Sequence, residues 1–481
     1  MQERDDDVKA RRRAANRARS WEWAAALGGP DLSVWRLERF KTVMARADEG
    51  RLVLPKADLG RVSPLAWLQA LLAMLIALVM CLGYLLRHRV GAGQARLPAE
   101  VSQIAALHGE VSTRTRHVLG ALAGAEQPVQ AIVLLGRVPH APTRIAALWS
   151  EAVPECSLRD MQILLPMSPG AALRAVGDLP GLVCEKLRHA ARATILVGLR
   201  DEVAMAFRVF SGAVAARWWA QHGNECEVIF GITGTGDTTL LERAIQRAGG
   251  RCVHAVHGQA TGPNFLGVSD LALFRSRHDA RAYARLGTYG ACSVQEAPPP
   301  EARRGAAGIL LLSNLAHPMN PEFQRFGLRD ETALLEVVGK AAQMLGVSAQ
   351  PLRWKPHPVV AELSADNRDA LRACAARHGF EELPPDCPVE RVAQDSRWVV
   401  TSPSTVALDL LCAGCLSIVL DPQGSVLDTA LVGLPRARCD AQALAALCRD
   451  LDPQDSHARA CAAAVEVIGP ARALDLRVRL E

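Results

Sequence analysis

Aromatic side chains are scarce in this chain of 481 residues, at 4% against 49% hydrophobic residues overall. An interior with so few rings must be built from Ala, Leu and Val, the composition of helix-covered parallel sheets, which argues against a sandwich or a barrel. A cysteine framework is also missing. The 13 cysteines are scattered through apolar segments, and with no secretory signal they read as reduced, buried thiols. Cys412 and Cys415 in LLCAGCL form the one close pair, and no second pair of similar spacing completes a zinc site, so no metal is expected. Acidic residues are absent from Lys9–Ser20, KARRRAANRARS, which holds six cations, while the rest of the net charge of +5 is nearly balanced. Such an arm suits nucleic acid, anionic lipid or plain disorder. Its place upstream of an apolar run points to lipid, and no nucleic-acid partner is expected.

Charge is lacking altogether from Pro64 to Leu86, PLAWLQALLAMLIALVMCLGYLL, where Gln69 is the only amide. A bilayer crossing takes about 20 apolar residues. The run starts too far along the chain for a signal peptide, and Trp67 and Tyr84 near its ends suit membrane interfaces. A membrane helix over 64–86 is therefore expected, with a helix buried in a soluble core as the alternative. Arg46, Arg51, Lys56 and Arg61 before it nearly balance Arg87, Arg89 and Arg96 after it, so the charges do not orient it.

The length implies two or three folding units. Residues 1–63 read as a basic arm with amphipathic helices, and 87–126 as a helical connector. Over 127–296 short apolar runs alternate with helix-length segments. The strand candidates are VQAIVLLG, MQILLP, ATILVG, EVIFGITG, RCVHAVHG and DLALFRS. The segment Glu296–Gly308, EAPPPEARRGAAG, contains three consecutive prolines that fit neither a helix interior nor a central strand, so 297–307 is a linker. Over 308–481 the alternation restarts with GILLLSN, PLRWKPHP, SRWVVTSPS and CLSIVLDP. The fold class is α/β: two open, parallel-sheet, Rossmann-like domains facing a cleft, preceded by the membrane helix.

Three motifs carry candidate chemistry. In RWKPHPVV, Lys355 and His357 emerge where a strand ends, and Pro356 and Pro358 keep the histidine off a helix. It can donate to a phosphate oxygen there, or simply shape a turn. In VVTSPSTVALDLLCAG, Ser402, Ser404 and Thr405 stand between a strand and a helix, where hydroxyls and free N–H groups make a phosphate site. Asp409 follows one turn later, within reach of a ribose; Ser404 as a mere cap and Asp409 as a solvated residue is the bland alternative. In GITGTGDTTLL and RCVHAVHGQATG, Gly234 and Gly236 allow a close turn, Asp237 or Thr238 caps the next helix, and His257 with Gly258 ends the next strand. Thr239 stands where the dinucleotide fingerprint needs its third glycine.

The KPHP motif, followed after about forty-five residues by S-x-S-T at the start of a helix, resembles the glycosyltransferases of the GT-B fold. More narrowly it is similar to bacterial sialyl- and polysialyltransferases, capsule-synthesis transferases and CDP-glycerol glycerophosphotransferases, over roughly 127–440. The resemblance implies that His357, Ser404 and Thr405, with Ser402 adjacent, bind the nucleotide phosphates, and that Asp409 meets the ribose. The H-G pair with a catalytic role in the glycerophosphotransferases falls on His257 and Gly258. One departure stands out: the acidic pair Asp201-Glu202 is followed by Val203 rather than by the glycine of the sialyltransferases. Asp237 is the nearest substitute base.

The expectation is a membrane-associated transferase of surface-polysaccharide biosynthesis (capsule, lipopolysaccharide or a similar glycan). It moves a sugar from a CMP-, CDP- or UDP-linked donor to a glycan or lipid-linked acceptor at the cytoplasmic side of the inner membrane. Asp237 or His257 takes the acceptor proton, while Lys355, His357, Ser404 and Thr405 neutralise the departing phosphate without metal or other cofactor. The alternatives are a CDP-glycerol-type glycerophosphotransferase and a non-catalytic, membrane-tethered assembly subunit.

Overall fold

The computed structural model describes residues 19–25 except 21, 33–48, 64–87, 103–108, 131–135, 162–164, 169–190, 198–256 except 224, and 266–294 except 275–276. It then describes 305–467 except 306, 314–326, 348, 358–359, 361–362, 385–386, 388, 403, 405 and 422–433. Two all-parallel sheets result. The first contains β1 (Gln103–His108), β2 (Ala131–Leu135), β3 (Gln162–Leu164), β4 (Glu227–Phe230), β5 (Arg251–Ala255), β6 (Leu271–Phe274) and β7 (Ala291–Val294), in the order β3-β2-β1-β4-β5-β6-β7. The second contains β8 (Ala307–Ser313), β9 (Leu352–Pro356), β10 (Phe380–Glu382), β11 (Ser396–Thr401), β12 (Ser417–Asp421) and β13 (Arg436–Arg438), in the order β10-β9-β8-β11-β12-β13. Parallel strands covered on both faces must be apolar throughout. Val228, Ile229 and Phe230, and likewise Ile309, Leu310 and Leu311, are accordingly all buried.

The change of sheet falls between Val294 and Ala307. The three prolines of the linker, and residues 193–197 of the expected strand ATILVG, lie outside the described residues. One expectation is corrected: the stretch 87–126, read as a helical connector, contains β1, which pairs with β2 on one side and β4 on the other. Its sequence QIAALH is short and alanine-rich, with Ile104 as its one β-branched residue. Pairing on both sides decides its conformation, and Ala106 is small enough to be buried in the middle of the sheet.

Around the first sheet lie α1 (Val34–Asp48), α2 (Pro64–Arg87), α3 (Pro169–Ala190), α4 (Leu199–His222), α5 (Gly236–Arg247) and α6 (Arg277–Ala284). With the second sheet come α7 (Gly327–Met344), α8 (Ala365–Arg377), α9 (Val389–Asp395), α10 (Val406–Cys412), α11 (Ala441–Asp450) and α12 (Pro453–Val467). The last of these packs on α10 and reaches α6 of the first domain. Far from being part of a separate arm, α1 belongs to the first domain's core. Its Trp35, Leu37, Phe40 and Val43 are buried, and Trp35 Nε1 donates to the Leu182 carbonyl at 3.0 Å.

The expected membrane helix forms as a helix, but its setting corrects the spanning reading. Ala70, Ala73, Met74, Ala77 and Cys81 are buried, and α2 packs along α4 and α3. Since α4 carries Arg208 and Arg217, the two helices cannot enter a bilayer core side by side at tolerable cost. Among the described residues no helix is long and apolar enough to cross a membrane.

Candidate functional site

Each sheet reverses its direction of growth once, at β1/β4 and at β8/β11. In open α/β sheets ligands settle beyond the carboxyl ends of the strands at such a switch point.

In the second domain the candidate residues gather there. Strands β9 and β11 flank β8; Pro356 pairs with Ser313, and Thr401 pairs with Leu312. Lys355 and His357 therefore leave one side of β8 at the level where Ser402 and Ser404 leave the other, about 10 Å apart at the usual strand spacing. His357 is exposed, Lys355 is half-buried, and its Nζ donates to the Pro384 carbonyl at 3.0 Å. Ser402 is buried, with its N–H donating to the Leu312 carbonyl at 3.1 Å. Half-buried Ser404 accepts at Oγ from the Val406 N–H at 3.4 Å, at the head of α10. Thr405 and the side chain of Asp409 lie outside the described residues.

Beneath these groups runs a chain that the sequence reading missed. Trp354 Nε1 donates to Ser313 Oγ at 2.8 Å, and that hydroxyl in turn donates to the Glu331 carboxylate. All three are buried, tying the end of β8 to β9 and α7. The available signal was Glu331 itself, an acid near the start of an otherwise apolar helix face.

The first domain's switch point is built differently. Gly234, at φ +76°, lies where any Cβ would collide with the Leu266 carbonyl, and a Cβ on Gly236 would come within 2.6 Å of Val209. These glycines admit the protein's own chain, not a ligand. Thr235 caps α5, its N–H donating to Thr238 Oγ1 at 3.1 Å. From α1, the Glu38 carboxylate accepts from Arg208 and from the Gly236 N–H, and Lys41 donates to the Thr233 carbonyl. Burial pushes the Glu38 carboxyl up despite Arg208. Asp237, the expected base, is only 3% exposed and accepts from the Thr238 N–H at 3.1 Å. The structure does not bring it to an open surface, because α1 covers the head of its helix.

His257 and Gly258 lie outside the described residues. Just before them, buried His254 meets Tyr289 Oη at 2.7 Å and Thr233 Oγ1 at 3.1 Å through Nδ1. Nearby, burial pushes the Glu242 carboxyl up to about 8, although the Val268 N–H, Lys41 and Ser269 all favour its charge. Of the acidic pair, Glu202 is a structural anion between Lys186 at 2.5 Å and Arg39 at 3.3 Å. Among the described residues, Glu336, Cys374 and His378 bring donor atoms of metal-ligand type within 4.8 Å of one another, on α7 and at the end of α8.

No family model matches the chain, and no curated protein matches it. Solved structures are similar to parts of it. UDP-GlcNAc 2-epimerase from Neisseria meningitidis, bound to UDP-GlcNAc, is 9% identical with a TM-score of 0.45, covering 74% of this chain and 94% of its own. A glycosyltransferase from Rickettsia africae is 10% identical at 0.43, covering 76% and 93%. An α,α-trehalose-phosphate synthase (UDP-forming) from Burkholderia vietnamiensis is 11% identical at 0.40, covering 76% and 95%. At these scores the architecture is defined by the chain's own strand orders: two parallel-sheet α/β domains with one switch point each.

Proposed function

We propose that this chain is a nucleotide-sugar-dependent glycosyltransferase of surface-polysaccharide biosynthesis, working at a membrane on a glycan or lipid-linked acceptor. The observation that carries the reading is the meeting of two sequence-distant motifs, Lys355–His357 and Ser402–Ser404, on either side of β8 at the second domain's switch point. Cations and hydroxyls converging at strand ends form a site for phosphate.

On this reading the donor's phosphates lie over the end of β8. The Lys355 charge and a hydrogen bond from His357 stabilise the negative charge that grows as the sugar leaves, and Ser404 with Thr405 fixes the phosphates through hydroxyls and the head of α10. Asp409 holds the ribose. His257 takes the proton from the acceptor hydroxyl, because Asp237 is engaged beneath α1. The Ser313, Glu331 and Trp354 chain keeps the β8 end rigid beneath the donor, so its contacts need no reorganisation at the moment of transfer.

Melting the protein with CMP, CDP, UDP and GDP in turn tests this directly, since a nucleotide that binds the folded state alone raises the melting temperature. One of the four is expected to shift it, and His357→Ala with Ser404→Ala is expected to reduce the shift. Absence of a shift with every nucleotide overturns the donor site.

A further inference from the structure

We propose that α2 is an in-plane lipid-binding helix that seats the first domain on an anionic membrane surface by its outward face. The helix is two-sided in an unusual way. One side is the seam of small residues, Ala70, Ala73 and Ala77, buried against α4 and α3. On the other, Leu65, Leu68, Leu72, Leu75 and Val79 are each between 43% and 63% exposed. Their spacing of three and four residues makes one continuous stripe. A helix on a water-facing surface carries charged residues in that position; here none occurs between Pro64 and Leu86. The apolar surface extends beyond this helix, for on neighbouring α3 Leu173 is 76% exposed.

The chemistry of the stripe selects its occupant. A protein partner is recognised through aromatic and arginine anchors inside a polar rim. This face offers aliphatic side chains with Trp67 at one end, and Gln69 as its only amide. Nothing in it fixes the orientation of a partner chain, and hydrocarbon tails need no such fixing. Complementary charge for anionic headgroups is present in the same chain, in the six cations of Lys9–Ser20. Since its other side is packed on the protein, the helix enters the boundary layer sideways and only to part of its diameter. The inference rests on the exposed face of α2 and on the basic segment Lys9–Ser20, and the nucleotide melting test is independent of both.

The full chain, sedimented with vesicles of phosphatidylcholine alone or doped with phosphatidylglycerol, is expected to partition about tenfold or more in favour of the anionic vesicles. Alkaline carbonate is expected to release it from the membranes of cells that express it. The triple variant Leu68→Glu, Leu72→Glu and Leu75→Glu should lose vesicle binding while keeping its far-UV spectrum and its nucleotide response. If that variant folds poorly, Leu68→Ser with Leu75→Ser should still weaken binding. Failure to bind either vesicle, or binding unchanged by these substitutions, overturns the proposal. Resistance to carbonate would mean a crossing and overturns it as well. A full chain of dimeric mass that turns monomeric in the variant, without vesicle binding in either, assigns the face to a second copy.

Discussion

The two switch points of this molecule share a topology and differ in what fills them. At the first, the head of α5 is an anion-ready helix terminus, and the chain supplies its own anion: Glu38 accepts from the Gly236 N–H, Lys41 holds the Thr233 carbonyl, and Leu266 closes on Gly234. At the second, Lys355, exposed His357 and half-buried Ser404 stand around the end of β8. Glycine-rich turns therefore do not by themselves mark a ligand site. What separates the two ends is exposure: Asp237 is buried at the head of α5, whereas His357 is exposed beside the end of β8. On the proposed function, the nucleotide belongs to the second domain and the acceptor to the first.

The largest effect expected at the open end is that of His357→Ala. Its side chain is exposed, so the fold loses little and the melting temperature should hold, while turnover should drop by about a hundredfold to a thousandfold if the imidazole stabilises the leaving phosphate. A lowered melting point with unchanged single-turnover rate would make it a turn residue instead. The closed end should answer in the opposite way. Glu38→Ala leaves the Gly236 N–H and the Arg208 charge without their acceptor, a loss of about 1–3 kcal/mol in stability. Nucleotide affinity should not change. Should Glu38→Ala instead create a new nucleotide or phosphate affinity, the head of α5 would be a latent site and the contrast between the ends would shrink.

Much of this contrast was legible in the sequence and part was not. The runs EVIF and GILLL are apolar without alternation, so strands buried on both faces could be read from them. The positions of Lys355, His357, Ser402 and Ser404 followed from motifs that sit directly after such strands. What escaped was everything that depends on distant pairing. β1 carries two alanines and no β-branched residue but isoleucine, so its neighbours β2 and β4 make it a strand. No local pattern joins Glu38 to Gly236, nearly two hundred residues away, or Trp354 through Ser313 to Glu331, which stand on three different elements. For α2, composition alone fixes an apolar helix. Whether it spans or lies flat depends on the alanine seam finding α4.

Smaller in scale is the response of the first domain to pH. Burial holds the Glu242 carboxyl near 8 in the fold, while in the unfolded chain it ionises as an ordinary carboxylate. The folded state thus keeps a proton that the unfolded state gives up, so the contribution to stability is complete at acidic pH and is lost as pH rises towards 8. The slope is at most about 1.4 kcal/mol per pH unit. Thermal melts from pH 5 to pH 8 should show the decline, and Glu242→Gln should flatten it. Equal slopes in the two proteins would mean that the group titrates normally. Nucleotide affinity should be the same in both, because this carboxyl belongs to the closed end.

The smallest change expected is also the one that tests the open end most finely. Ser402 and Ser404 are two residues apart, and only one of them is free to meet a ligand. Ser402 is buried, with its backbone bonded to Leu312. Ser404 is half-buried, and its Oγ accepts from the Val406 N–H at 3.4 Å, which leaves its own hydrogen to donate. On the proposed function its contact with the donor phosphate exists before and during transfer, so removing it weakens ground and transition states alike. Ser404→Ala should therefore raise the donor Kd by about tenfold or less, one ordinary hydrogen bond, with turnover at saturation unchanged. Ser402→Ala should lower the melting temperature and leave Kd alone. Calorimetric titration of both variants with the nucleotide found by melting decides the matter: if Ser402 sets the affinity and Ser404 the stability, the phosphates lie on the inner side of the β11 end, and the head of α10 is only a cap.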